Sequence, residues 1–186
     1  FVSLIPAVVL ATILAAKMDK KPAAMLFAAL YMICGILPYL AFRLGMLPIT
    51  DNPDLLPLVA FANAIGFSSL TAIIIITSSM LADVADEMEL TTTKRQEGLL
   101  YAAYSFAQKM TFAAGTLIAS ISLAIIGFPK QTNPSDVPQA KIDGLANVSI
   151  VIAVIFGLAA LYCFSRYSLT RARHAAIKAE LAGTRG

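Results

Sequence analysis

Five long apolar runs, separated by short intervals that hold nearly all the charge, decide the solvent in which this chain folds. They are Phe1–Ala16, Ala23–Phe42, Leu55–Ala82, Gly98–Gly127 and Gly144–Ser165. A helix that crosses a bilayer needs about 20 mostly apolar residues at about 1.5 Å rise each. Four of the runs reach that length, and the first is shorter. Within hydrocarbon every backbone N–H and C=O must find its partner inside the segment, so runs of this kind fold as helices. The expected fold class is all-α: a polytopic transmembrane helical bundle over residues 1–165, followed by a basic cytoplasmic tail over residues 166–186. Composition agrees, since 13% of the residues are charged where a soluble domain carries about a quarter.

The chain opens on an apolar run with neither an initiator Met nor a polar lead-in before Phe1. It is expected to be a fragment of a longer protein, and a signal peptide is not expected. Orientation follows from Lys and Arg. Of fourteen, ten fall on one side: Lys17, Lys20, Lys21, Lys94, Arg95 and five in the tail. Arg43, Lys130 and Lys141 fall on the other, and Lys109 lies within a run. This bias puts the first loop, the third loop and the C-terminus in the cytoplasm. The net charge of +3 then reflects topology and implies no nucleic-acid partner; the basic tail suits anionic lipid.

Cys34 and Cys163 both lie inside runs, which gives neither a disulfide framework nor a zinc spacing. His174 stands alone in the tail and is expected to be solvated. No metal site and no cofactor are expected.

The interval "ADVADEMELTTTKRQEG", Ala82 to Gly98, is the most informative. Asp83 and Asp86 are three apart and share a face if the third helix continues through them. At a helix C-terminus they would oppose the macrodipole, so a compensating cation is expected: Lys94 with Arg95, or a basic loop elsewhere. Thr93-Lys94-Arg95-Gln96 has the form of a capping box, with Glu97 adding negative charge to the first turn, so the fourth helix is expected to start at about Lys94. Two readings stand here. One is a solvated loop with ordinary caps; the other is a latch whose salt bridges form in one conformation and break in another.

The stretch "SMLADVADEMEL…KRQEGLLYAAYSFAQK", Ser79 to Lys109, resembles the glycoside–pentoside–hexuronide:cation symporters, the melibiose-permease-like branch of the major facilitator superfamily. The resemblance rests on Ala82, Asp83, Asp86, Glu89, Arg95, Glu97, Gly98 and Tyr101, and on the ending "IIGFPKQ". It extends more weakly over the whole chain, which would be helices eight to twelve. The first loop, "AAKMDKK", echoes the superfamily's Gly-x-x-x-Asp-Arg loop through Asp19, with Ala15 for the glycine and Lys20 for the arginine. Glu87 and Met88 stand where many sugar-transporting members carry Tyr-Gly.

The resemblance implies cation-coupled symport of a sugar or related small polar solute, by alternating access, in a bacterial inner membrane. The coupling cation, sodium or proton, would be bound mainly by the missing N-terminal helices. Asp19, Asp83, Asp86, Glu89, Arg95 and Glu97 would form the cytoplasmic gate. A lysine at the position of Lys109 faces the central cavity in that family.

Lys109 is the costliest residue of the apolar runs. It sits roughly 16 Å along the helix from Gly98, too deep to snorkel easily, and a central lysine costs about 2.5–3.5 kcal/mol on insertion scales. It must therefore face protein or water. At about 100° per residue Tyr101, Ser105, Lys109, Phe112, Thr116 and Ser120 form one stripe. The two readings are a structural ion pair with an acid absent from these runs, and a lysine bordering the substrate and coupling cavity with Tyr101, Ser105, Thr116 and Asn63. For Asn63 the plain alternative is a helix–helix hydrogen bond.

Other classes remain to be weighed. An intramembrane enzyme needs a nucleophile with its base, or a metal set, and no run holds one; the protein is not expected to be an enzyme. A transporter fold carrying a lipid or organic anion, and a non-transporting membrane scaffold, are the alternatives.

Overall fold

The computed structural model describes residues 13, 17–44, 55–94, 96–129 and 137–185. Apart from Ile13, the first apolar run lies outside these residues, and so does Arg95. The described elements are five helices: α1 (Lys20–Arg43), α2 (Leu55–Thr92), α3 (Glu97–Ile126), α4 (Gln139–Ser165) and α5 (Arg171–Arg185). The first four answer to the second through fifth apolar runs, and each is long and apolar enough to cross a membrane. α1 runs through Pro38 without ending there.

α2 outruns its apolar span, and the helix does continue through Asp83 and Asp86. It has 38 residues and continues past Ala82 to Thr92. At about 1.5 Å per residue that is about 57 Å, nearly twice the ~30 Å of hydrocarbon. Its last turns, which carry Asp83, Asp86 and Glu89, therefore extend beyond the apolar span. Because the macrodipole effect fades within the last turn, it does not reach Asp83 or Asp86. The conflict expected there does not arise.

The expected capping box is also absent. Thr93 has φ of 57°, in the left-handed region, and its N–H donates to the Glu89 carbonyl at 2.9 Å. That is the single bond of an αL stop signal, so Thr93 closes α2 instead of opening α3. α3 starts at Glu97, three residues later than expected, and Gln96 before it makes no side-chain cap. At the other end of α3, Gly127 takes φ of 63°. Its N–H reaches the Ala124 carbonyl and that of Phe128 reaches Leu123, the paired bonds of a Schellman motif. Lys141 adds a further donor, to the Ile126 carbonyl.

Small residues let α1 and α2 approach closely, the usual device where lipid supplies no hydrophobic drive between helices. Ala23, Ala24 and Phe27 of α1 pack on Ala72, Ile76 and Met80 of α2. Ser68 and Ser69 are buried in the same interface, with hydroxyls donating to the carbonyls of Ala64 and Ile65 one turn back. α4 lies on α1, where Gly157 leaves room for Met32; a Cβ there would stand 2.5 Å from the Met32 sulfur. The tail folds into α5, which returns to α2. Leu169, Ile177 and Leu181 are buried against Val84, Leu90 and Tyr167.

Candidate functional site

The first element of the site is a carboxylate that three segments share. Asp83 points from α2 into the junction of α1, α2 and the tail and is 3% exposed. Lys20, at the start of α1, places its ammonium 2.7 Å from Oδ1 and 2.6 Å from Oδ2. The Tyr167 hydroxyl donates to Oδ2 at 3.2 Å. His174 Nε2 lies 3.2 Å from Oδ1 and, on its other side, 3.1 Å from Asp86 Oδ2. A carboxylate offers about four lone-pair positions, and Asp83 has a contact for each. Two acceptors on Nε2 require that nitrogen to carry the hydrogen. Around this core, Lys20 also reaches the Ser79 carbonyl, and Arg171 joins Asp19 at 3.4 Å and donates to the Met18 carbonyl.

The local fold explains the convergence. Asp83 and Asp86 share a face because α2 is still helical there. Lys20 comes from the first turn of the helix packed on that face. Burial, then the Asp83 carboxylate and the hydrogen bond to it, and then Glu87 push the Tyr167 phenol well above its ordinary value of 10.0. The raised value keeps it a neutral donor through that pH, and its bond weakens only when pH climbs through the still higher folded value.

Of the two sources weighed for a compensating cation, the second is used: Lys20, from the basic first loop, pairs with Asp83, while Lys94 is exposed and Arg95 lies outside the described residues. One expectation changes here. His174, expected to be solvated, is only 19% exposed at its side chain. The signal that could have located it is the Ile177–Leu181 pair at helical spacing, which places His174 one turn before Ile177 on the buried face of an amphipathic tail. Of the remaining gate residues, Glu89 and Glu97 are partly buried, and Asp19 joins the cluster through Arg171.

The second element is α3, and it is arranged in the opposite way. None of its residues is buried. Lys109 is exposed and makes no hydrogen bond or ion pair among the described residues. It lies nine residues, and so about 180°, from Ile118, which lines the cleft between α3 and α4. The stripe thus faces away from α4. Tyr101 is partly buried and Ser105 exposed; Thr116 and Ser120 bond the carbonyls of Phe112 and Thr116 in their own helix. The structure therefore places Tyr101, Ser105, Lys109 and Thr116 on one open face.

Asn63 stands apart from that face. It lines a cavity of about 630 Å³ between α1, α2 and α4, among apolar residues such as Tyr39, Phe67 and Phe156. Its amide donates to the Val59 carbonyl at 2.9 Å, within its own helix, so the expected helix–helix bond is not made among the described residues. Asn63 and Lys109 do not meet. Among the described residues no cluster of His, Cys, Asp and Glu fits a metal ion.

Comparison with known proteins bears on what these elements serve. No solved structure matches the chain. An uncharacterized symporter from Synechocystis is 32% identical over 106 residues, which are 55% of this chain and 20% of the relative. The chain thus matches about a fifth of the length of that relative. The family of MFS/sugar transport proteins matches residues 1–171, nearly the whole sequence. With four helices long and apolar enough to span a membrane, the chain is an integral membrane protein that belongs to the MFS/sugar transport family.

Proposed function

We propose that this chain is the C-terminal part of a secondary active transporter that couples a cation, sodium or proton, to a sugar or related small polar solute. The observation that carries the reading is the family match over residues 1–171; the relative named as a symporter supports coupled transport. The mechanism is alternating access, in which two halves rock about a site near the membrane midplane. α3 presents Tyr101, Ser105, Lys109 and Thr116 to that site. The coupling cation is held mainly by acidic residues of N-terminal helices, with Lys109 linking cation and solute occupancy from the facing wall. Asn63 lines the mostly apolar cavity between α1, α2 and α4. The end of the bundle that holds Asp83 is cytoplasmic, in a bacterial inner membrane. Its ion pairs hold the carrier closed on that side and break when it opens inward.

A lipid or organic anion is the second reading of the substrate. Glu87 and Met88, in place of the Tyr-Gly of many sugar-transporting members, favour it. Reconstituted full-length protein tests both. Counterflow of a labelled sugar, stimulated by sodium or by acid, is the expected result, and Lys109→Ala and Lys109→Gln should abolish the stimulation. Counterflow of an organic anion but no sugar would select the second reading. Stimulation that survives in both lysine variants removes Lys109 from coupling.

A further inference from the structure

The acids where α1 starts and the α2 span ends are matched within the protein, but three cations beside them are not. Lys20 is bonded to Asp83, Arg171 is directed to Asp19, and His174 lies between Asp83 and Asp86. Lys17, Lys21 and Arg166 make no side-chain hydrogen bond or ion pair among the described residues. These three belong to one corner of the bundle. Met18, Phe164 and Tyr167 pack on the apolar cluster that holds Ala23, Ala24 and Phe27. Lys17 adjoins Met18, Lys21 is two residues before Ala23, and Arg166 lies between Phe164 and Tyr167.

The ends of the spans fix how deep this corner sits. The apolar run of α1 begins at Ala23 and that of α4 closes at Ser165. At about 1.5 Å per residue, Lys21 stands about 3 Å outside the first and Arg166 directly outside the second. The polar headgroup layer is about 5–8 Å thick on each side of the hydrocarbon, so both cations lie within it. Nearby acids do not cancel them. Asp86 and Glu87 are three and four residues beyond Asp83, which carries them about 4.5–6 Å further toward water. The helical tail is set apart as well, since Ile177 and Leu181 of α5 pack with Val84 and Leu90, in the part of α2 beyond the apolar span. Beneath Arg166, Tyr162 and Leu158, one and two turns deeper on α4, are 65% and 56% exposed. An open strip for an acyl chain therefore runs inward from the cations.

We infer that Lys17, Lys21 and Arg166 bind the headgroup phosphate of an anionic phospholipid, with an acyl chain along Tyr162 and Leu158. A phosphate accepts charge-assisted hydrogen bonds from lysine and arginine alike, and the arginine fork meets two of its oxygens at once. A zwitterionic headgroup brings its own cation, which the three neighbouring cations repel, so the site selects a lipid of net negative charge. Of the basic tail, expected as a whole to suit anionic lipid, Arg166 is the part that enters this site. Binding there does not depend on which solute the protein carries.

Native mass spectrometry of the full-length protein in detergent, titrated with phosphatidylglycerol or with phosphatidylcholine, tests the site. The first phosphatidylglycerol should bind about tenfold or more tighter than the first phosphatidylcholine. A cation at a membrane surface is worth about fivefold in affinity, so Lys17→Gln, Lys21→Gln and Arg166→Gln should each weaken phosphatidylglycerol by about that factor. With all three replaced, the two lipids should bind within about twofold of each other. Lys17→Arg with Lys21→Arg keeps the charge and should keep the preference. Arg173→Gln with Lys178→Gln, on α5, should also leave it unchanged. Equal binding of the two lipids by the unaltered protein overturns the inference, and so does a preference that survives the triple replacement. A preference lost in the α5 pair would move the site to the tail and overturn it too. Displacement of phosphatidylglycerol by millimolar inorganic phosphate would mark a site for a free anion and overturn the lipid assignment. Solute movement plays no part in this readout, so a failure here leaves the transport reading standing.

Discussion

Around Asp83, side chains from three segments converge on one buried carboxylate, while along α3 thirty residues pass without a single buried side chain. Both regions hold a charge that water would otherwise solvate. At Asp83 the chain supplies the answer itself: an ammonium, a phenol and an imidazole. At Lys109 the described residues supply none. An ammonium at that depth is costly against lipid, so in the carrier proposed above this face would meet protein or a water-filled cavity. The first region is a finished joint, and the second is a wall.

The largest effect that could break this contrast comes from removing each cation in turn. Lys20→Met leaves Asp83 buried without its full charge partner, and stripping one member of a buried pair costs about 3–5 kcal/mol. A quarter of the Lys20 side chain is exposed, which puts the expected loss at the lower end, about 3 kcal/mol. Lys109→Met breaks no ion pair among the described residues and should leave stability within about 0.5 kcal/mol of the starting value. Thermal unfolding of the two full-length variants compares them. Equal losses would mean that Lys109 is a structural pair with an acid elsewhere, and the contrast between joint and wall would disappear.

The unequal legibility of the two regions in the sequence has the same origin. The helices of the apolar span were legible because hydrocarbon imposes one solution on a long apolar run. The shared face of Asp83 and Asp86 was legible because spacing along a helix is local. The stripe of Lys109 was legible as a stripe, for the same reason. Lys20 was visible as a loop cation, but its pairing with Asp83 spans 63 residues and depends on how α1 packs on α2, which no spacing records. His174 was misread because a single histidine carries no pattern; its setting comes from Ile177 and Leu181 folding the tail back. The cap at Thr93 was misread because Thr-x-x-Gln fits a helix start, whereas the backbone there uses a left-handed residue to end the helix before it.

A smaller effect sharpens the role of the joint. If its ion pairs hold one conformation of a transport cycle closed, weakening them alters the rate of interconversion more than the affinity for solute. Asp86 is a third exposed at its side chain, so charge reversal is better tolerated there than at Asp83. Asp86→Lys should slow turnover about tenfold, a change of about 1.4 kcal/mol in the barrier, while solute affinity moves less than about twofold. Equilibrium binding and counterflow on the same preparation separate the two quantities. Normal turnover would remove the latch, leaving the cluster a purely structural joint. A loss carried wholly by affinity would instead place Asp86 closer to the solute than α2 puts it.

The smallest effect compares the stops that end α2 and α3. Both helices close on a left-handed residue, Thr93 at φ of 57° and Gly127 at φ of 63°. A residue with a Cβ loses about 1–2 kcal/mol in that conformation, whereas glycine adopts it freely but gives up more backbone entropy on folding. Gly127→Ala should therefore cost about 1 kcal/mol. Its new Cβ would also stand 3.1 Å from the Lys141 ammonium, which bonds the last carbonyl of α3. Thr93→Gly relieves the strain but adds unfolded-state entropy and removes the contact of the Thr93 hydroxyl with the Thr92 carbonyl, so a net gain below about 0.5 kcal/mol is expected. The two substitutions should move the unfolding midpoint in opposite directions. If Thr93→Gly lowers it by as much as Gly127→Ala does, Thr93 is not strained. The stop at the charged end would then rest on the threonine hydroxyls, with the left-handed turn adding nothing of its own.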